Sequence, residues 1–356
     1  MMRIAVIGAT GAVGRECLTL LDHGSLPVER VIPVASPRSA GLDLRAELGL
    51  DCALEPVTTL ARFDPRTVDV AVLCAGAEVS LSQADRLVAA GVLVVDNSSA
   101  FRRRPDVPLV VPQVNPHVLE QRPPGGLVAN PNCSTIQLVR VLHPLHALAG
   151  LADIVVATYQ AASGGGMRGL AELAEGSARF LADPGRPPEP PGRFGQPLSF
   201  NLIPEIGLAD DSGFTHEERK LVDEPRRILE LPELRITATA VRVPVFHCHS
   251  EAVHVRLREP VTAAAVEDAL AAVPGLRVHR RGSADGGYPM PRTACLSPED
   301  RALVHVGRIR VDPDDPRGVW LWIVADNLWV GAALNAVQAV ETAVAFGWLG
   351  RPAVVA

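Results

Sequence analysis

Lysine is almost missing from this chain. Of 34 basic side chains in 356 residues, a single one, Lys220, is lysine. Aromatic residues make up only 4%, and no apolar run reaches the ~18 residues that a membrane span requires. There is no basic excess either. With 40 acidic side chains the net charge is −6, the wrong sign for a nucleic-acid or membrane-surface binder. The six cysteines, at 17, 52, 74, 133, 248 and 295, form no C-x-x-C pair, so neither a metal site nor a disulfide scaffold is expected. Five of them read as small buried hydrophobes. Gly and Pro, 30 and 31 residues, stay below low-complexity levels, and neither an internal repeat nor a secretory signal is visible. This length and composition predict a cytoplasmic globular protein of two domains.

What is present is pattern. Residues 3–7 read as a buried strand that runs into Gly8-Ala9-Thr10-Gly11-Ala12-Val13-Gly14 and then a helical spacing of apolar residues. Strand-like runs at 30–35, 68–74, 92–95 and 108–111, with a helix over 78–90, predict a Rossmann-like, doubly wound α/β domain over 1–130. From 131 to 326 the strands (235–245, 251–257, 319–325) are longer and alternate more, with helices at 167–182, 215–230 and 262–272. That pattern predicts an α+β domain on a mixed sheet. The Pro- and Gly-rich segment 183–198 reads as an extended arm and 283–302 as a turn-rich excursion. An apolar helix at 330–347, inside the C-terminal segment 327–356, is expected to return to the first domain.

The G-x-x-G-x-x-G spacing between a strand and a helix lets backbone approach a pyrophosphate at the helix N-terminus. Gly8, Thr10, Gly11, Ala12, Val13 and Gly14 are therefore expected cofactor contacts. An NAD site calls for a carboxylate at the end of the second strand. Here that strand runs into Ser36-Pro37-Arg38-Ser39, whose hydroxyls and guanidinium suit the 2′-phosphate of NADP. Asn130-Pro131-Asn132-Cys133-Ser134-Thr135 feeds an apolar helix and sets Cys133 at its N-terminus. In that place the dipole lowers a thiol's pKa and backbone N–H groups can receive an oxyanion. Pro144 is expected to kink or shorten the helix.

Together with Asp96-Asn97-Ser98-Ser99-Ala100-Phe101-Arg102, Thr158-Tyr159-Gln160-Ala161-Ala162-Ser163-Gly164-Gly165-Gly166, Glu217-Glu218-Arg219-Lys220, Arg242-Val243-Pro244-Val245-Phe246-His247-Cys248-His249-Ser250-Glu251 and Asp326-Asn327, these segments resemble the aspartate-β-semialdehyde dehydrogenases, in order over nearly the whole chain. The resemblance implies reversible NADPH-dependent reduction of aspartyl phosphate to aspartate semialdehyde and phosphate through a cysteine thioester. It places the reaction in lysine (diaminopimelate), methionine, threonine and isoleucine biosynthesis, and implies a homodimer or a dimer of dimers. By the same resemblance Cys133 is the nucleophile, Gln160 orients substrate and Asn132 belongs to the catalytic set. His249 is the acid/base, a role that suits an imidazole titrating near neutrality. Arg102 and Lys220 would hold phosphate, Arg242 the α-carboxylate and Glu217 the α-ammonium group. Ser163, Gly164 and Asn327 would contact the nicotinamide.

Several residues keep a second reading. Lys220 has the spacing of an i,i+3 surface partner of Glu217. His247 is expected on the opposite strand face from His249, and Arg103 and Arg104 in a solvated loop. Cys248 stands where the family commonly has Gly, and Trp329-Val330 replaces a polar or basic pair. Related reductases of N-acetyl-γ-glutamyl phosphate or malonyl-CoA remain open, as does a non-catalytic dinucleotide sensor. The acetylated substrate would leave Glu217 without a purpose, a CoA substrate would not need the same phosphate clamp, and a sensor would not need Cys133.

Overall fold

The structure, a computed structural model, describes residues 1–123, 125–185, 192–283 and 286–349. It consists of two compact units. One comprises Met1–Pro131 and the chain from Ala332 onward, the other Asn132–Gly331.

In the first unit β1 (Met2–Ile7), β2 (Val28–Ala35), β3 (Thr58–Thr59), β4 (Val70–Leu73), β5 (Leu93–Asp96) and β6 (Leu127–Ala129) form one parallel sheet ordered β3-β2-β1-β4-β5-β6. Helices α1 (Ala12–His23), α2 (Leu44–Leu48) and α3 (Ala77–Ala89) lie between the strands in sequence. β4 and β5 are buried at every position, which is why they read as continuous apolar runs rather than alternation. The winding reverses between β1 and β4, the switch point at which such sheets bind ligands. The strand expected at 108–111 reduces to an isolated parallel bridge between Leu109 and Ala129. The edge strand is β6 instead, at three residues too short to show a period.

The second unit holds α4 (Cys133–Ala149), β7 (Leu151–Gln160), α5 (Gly166–Ala182), α6 (His216–Ile228), β8 (Arg235–Arg242), β9 (His249–Leu257), α7 (Ala263–Ala271), β10 (Leu276–His279), α8 (Pro298–Arg301), β11 (Val304–Val311) and β12 (Gly318–Ala325). Its sheet is mixed, ordered β10-β11-β12-β9-β7-β8, with β7 parallel to β8 and antiparallel to β9. β10 and β11 were not expected from the sequence, and the excursion at 283–302 contains the short α8. Along β7, Ile154, Val156, Thr158 and Gln160 are buried while Val155 and Tyr159 stay exposed, so the sheet has one covered and one open face.

α4 continues past Pro144 to Ala149, so the proline does not shorten it. The ring costs about 3 kcal/mol in a helix interior. Ile136, Leu138, Val139, Val141, Leu142 and Leu145 are all fully buried, and that apolar burial offsets the cost. The chain leaves the second unit through a π-helical turn, Trp329–Ala333, and continues as α9 (Leu334–Ala345). Ala336, Val337, Val340 and Ala343 of α9 pack into the core of the first unit with Leu18, Leu21 and Val95. Of the expected C-terminal segment, 350–356 lies outside the described residues, as does 186–191 of the expected arm.

Candidate active site

In the first unit the chain turns directly after β1 at Gly8, whose φ of 92° strains any other residue. A Cβ on Gly8 would lie 2.7 Å from the Cys74 carbonyl carbon, and one on Gly14 would strike the Gly8 carbonyl oxygen. The glycines are therefore dictated by backbone packed on backbone. No side chain caps the start of α1. Its first-turn amides, beside Thr10, Gly11, Ala12 and Val13, are the kind of donors that a pyrophosphate accepts. Just past β2, Ser36 and Arg38 are exposed and Ser39 half-buried, with no carboxylate among them. This donor set fits a dinucleotide carrying a 2′-phosphate. In the same unit Arg102 is buried, its Nε donating to Asn130 O (2.8 Å) and its Nη2 to Asn97 O (2.9 Å). Arg103 and Arg104 are exposed.

The second unit gathers most of the remaining site residues. Asn132 caps α4, its Oδ1 accepting from Ser134 N (3.1 Å), and this fixes Cys133 as the first helical residue. Gln160 ends β7 and donates from Nε2 to Ser134 Oγ (3.0 Å) and to Glu217 Oε1 (3.2 Å). Asn132 Nδ2 donates to the same carboxylate oxygen at 3.0 Å. Glu217 is placed by a capping box: Thr215 Oγ1 accepts from Glu218 N while Glu218 Oε2 accepts from Thr215 N, setting the first turn of α6. Lys220 lies one turn on, its Nζ 2.8 Å from Glu217 Oε2. The i,i+3 pairing is thus real, but Glu217 is buried rather than at the surface. Burial alone would push the Glu217 pKa up. The Lys220 ammonium, with the bonds from Lys220, Asn132 and Gln160, outweighs it and brings the carboxyl down to about 2.

Arg242 ends β8, and His249 opens β9. His247 is not on the opposite face of that strand. It sits half-buried in the preceding turn. His249 is fully buried, and its Nδ1 accepts from Ala161 N at 3.0 Å. A backbone N–H can only donate, so the neutral ring carries its proton on Nε2, which has no partner among the described residues. Burial, then the Arg242 charge, pushes the imidazole down to about 3. Titration near neutrality, expected from the sequence, is therefore corrected to a ring that stays neutral across the physiological range. Arg242 donates from Nη1 to Ala161 O (2.7 Å), and its buried Nε has no partner among the described residues. Gly164 borders both groups, since a Cβ there would lie 2.8 Å from Arg242 Nη1 and 3.4 Å from His249 Nε2. Ser163 Oγ donates to Asn327 Oδ1 (2.9 Å), which orients the Asn327 amide.

The depressed His249 pKa has a consequence for stability. Folding keeps the ring neutral while the unfolded chain protonates it near pH 6.5, so its contribution is complete above 6.5 and is lost as pH falls towards 3. The slope of stability against pH between 6 and 4.5 should be shallower in His249→Gln by about 1.4 kcal/mol per pH unit. Urea unfolding at a series of pH values measures this; equal slopes would show that the ring is not held neutral.

Three contributors were missed by sequence reasoning. Glu224 Oε2 accepts from Asn132 N at 2.7 Å, anchoring the cap. Ala161 supplies both the N–H to His249 and the carbonyl to Arg242. Gly331 packs on Cys133, where a Cβ would come 2.7 Å from the Cys133 Cβ. None carries a local signal, because each acts through a partner far along the chain. The cysteine reading also changes. Only Cys17 and Cys248 are buried, while Cys52, Cys74, Cys133 and Cys295 are half-buried. Cys248 adopts φ 69°, which gives a physical reason for Gly at that place, and it packs with Ala294, Val324 and Cys295. Trp329 is buried under the Arg301 guanidinium, 4.3 Å from ring centroid to Cζ. No group of residues that could hold a metal ion occurs among the described residues, and no helix among them is long and apolar enough to cross a membrane.

Comparison with known proteins agrees with this arrangement. A family model described as "Semialdehyde dehydrogenase, NAD binding domain" matches residues 3–122, and one described as "Semialdehyde dehydrogenase, dimerisation domain" matches 142–330. The chain is 43% identical over 340 residues to an aspartate-semialdehyde dehydrogenase of Legionella pneumophila, covering 96% of this chain and 95% of that one. A crystal structure of aspartate semialdehyde dehydrogenase II from Vibrio cholerae, complexed with ASA, aligns with TM-score 0.90 at 39% identity over 97% of this chain and 98% of that one. The enzyme of Candida albicans, solved with NADP, aligns with TM-score 0.72 at 26% identity over 98% and 100%. With a parallel nucleotide-binding sheet, a mixed second sheet and full-length relatives at about 40% identity, the chain belongs to the aspartate-semialdehyde dehydrogenase family.

Proposed function

We propose that this chain reduces L-aspartyl-4-phosphate to L-aspartate 4-semialdehyde with NADPH, reversibly, in the cytoplasmic synthesis of lysine, methionine, threonine and isoleucine. Residues 1–130, joined by the C-terminal helix, take the nucleotide, and residues 131–326 carry catalysis and dimerisation. The open face of the second sheet, where Val155, Tyr159 and Trp320 are exposed, suits a second copy of the chain, and such dimers can pair again. The observation that carries the substrate assignment is Glu217. Its carboxylate is buried and ionised beside the first turn of α4, and a buried anion favours a further cation. The ammonium group of an aspartyl substrate is such a cation; an N-acetylated substrate has none.

Reduced nicotinamide, when bound, supplies hydride to the acyl carbon. The chain's residues do the rest. The Cys133 thiolate attacks the acyl carbon, the C–S bond forms as the C–O bond to phosphate breaks, and phosphate leaves with the electron pair. The oxyanion of each tetrahedral state lies against the N-terminal amides of α4 and His249 Nε2–H, both donors. Collapse of the reduced adduct breaks the C–S bond, frees the aldehyde and restores the thiolate. Arg242 offers Nε to the α-carboxylate, Lys220 and Arg102 are assigned to phosphate, and Gln160 and Asn132 hold Glu217 in register. Ser163, Gly164 and Asn327 are assigned to the nicotinamide side.

The test is phosphate-dependent reduction of NADP by aspartate semialdehyde. No turnover, or equal turnover of N-acetylglutamate semialdehyde, would overturn the assignment. Cofactor choice follows from Arg38 and the two serines. kcat/KM for NADP should exceed that for NAD by about 10- to 100-fold, the worth of one or two charge-assisted hydrogen bonds. Arg38→Ala should close most of that gap, and parity in the unsubstituted enzyme would refute it.

A further inference from the structure

Arg242 is held from two sides. Its Nη1 donates to the Ala161 carbonyl, and the ring of Phe194 lies over the guanidinium with Cζ 5.3 Å from the ring centroid. Phe194 comes from the loop that follows α5, in a chain with only eight phenylalanines. It packs against a small cluster formed by Ala162, Leu173, Leu198 and Ile203. Space for the ring is made at Gly165, where a Cβ would lie 2.8 Å from Phe194 Cε1 and 2.9 Å from Cζ. Gly169 also borders the ring but is already held to glycine by the Ala162 carbonyl oxygen, 2.6 Å from where its Cβ would be. Beyond Phe194 and Arg242 opens a cavity of about 660 Å³, lined also by Gly164, Arg193, Gln196 and Ile203.

We propose that Phe194 is a positioning residue for the substrate carboxylate, fixing the guanidinium plane of Arg242. This rests on the assignment of Arg242 to that carboxylate. A guanidinium donates in its own plane, so bidentate recognition requires the plane to be set before the ligand arrives. A carbonyl on Nη1 leaves rotation about the last side-chain torsions unsettled. The aromatic face settles it, because the cation prefers to lie flat against the ring's negative quadrupole. With both in place, the buried Nε, unpartnered among the described residues, remains for the carboxylate. Gly165 thereby acquires a reason that phosphate or nicotinamide binding does not give it: any larger residue displaces the ring.

Steady-state kinetics of the full-length enzyme test this. Phe194→Leu keeps an apolar side chain in the cluster but removes the ring, and should raise KM for aspartate semialdehyde about tenfold. kcat and the KM for phosphate should stay within about twofold, and Phe194→Met, also apolar and without a ring, should show the same split. On an Arg242→Ala background, Phe194→Leu should add nothing, since a residue acting through Arg242 has nothing left to act on. An unchanged aldehyde KM in Phe194→Leu, equal rises for aldehyde and phosphate, a wild-type aldehyde KM in Phe194→Met, or additive effects in the double variant would each overturn the proposal. Should Phe194→Leu not fold, Phe194→Met decides it: a raised aldehyde KM with kcat unchanged bears the proposal out, and a wild-type aldehyde KM without the ring overturns it. If Arg242→Ala itself leaves the aldehyde KM untouched, the carboxylate assignment fails instead, and the two failures are distinct.

Discussion

Cys133→Ser should lower turnover by about 10⁴-fold or more. Serine preserves the shape of the helix start, with Asn132 still capping it and Gly331 still packed on the Cβ, so the loss will not come from misfolding. It comes from acidity. A thiol at a helix N-terminus ionises at accessible pH, whereas a hydroxyl needs a strong base beside it. The base that the sequence offers is His249, and its Nδ1 is engaged by Ala161 N–H while the ring is held to a pKa of about 3. It cannot serve serine as the imidazole of a serine hydrolase does. The same reasoning predicts how alkylation will run. Cys17 and Cys248 are buried with their thiols pushed up, and Cys52 is pushed up to about 11. Cys295, half-buried, is lowered by a hydrogen bond from the neighbouring Cys248 thiol and will compete for iodoacetamide. Labelling of Cys133 should track loss of activity and be blocked by substrate; labelling of Cys295 should do neither. Near-normal turnover in Cys133→Ser, or inactivation that follows Cys295 alone, would remove Cys133 from the reaction.

Much of this arrangement was legible in the chain because its causes are local. An Asn-Cys-Ser turn ahead of an apolar run is a capped helix start, and the cap alone decides where Cys133 lies. A buried apolar run followed by glycines is a strand entering a tight turn, and Gly8 and Gly14 are fixed by their own neighbourhood. What escaped depends on partners distant in sequence. β6 and β10 have three and four residues, fewer than a period needs to declare itself. Pro144 signalled a break locally, and burial of the flanking apolar residues overrode it. The protonation state of His249 depends on an amide 88 residues away. The Lys220–Glu217 pairing was announced by the i,i+3 spacing, but the burial of Glu217 beneath it was not, because that depends on α4 and β7 packing over the start of α6.

Replacement of His249 should lower kcat by about 10²–10³-fold, the worth of one oxyanion donor. The ring faces the site with Nε2, and neutrality plus an occupied Nδ1 makes Nε2 a donor in the resting enzyme. To act as a base the ring would have to turn Nε2 into an acceptor and place a proton on Nδ1 opposite the Ala161 N–H, two donors face to face. Buried Arg242 beside it disfavours the imidazolium further. A donor role requires neither. It predicts a specific split: in His249→Asn, Cys133 should alkylate at close to the wild-type rate, because the first-turn amides of α4 rather than a base are assigned the thiol's ionisation, while turnover collapses. It also predicts that the wild-type profile of kcat/KM against pH has no limb near 6.5 that His249→Asn removes. The opposite result, a limb near neutrality that vanishes with the imidazole together with slower alkylation, would make His249 a general base and refute the donor assignment.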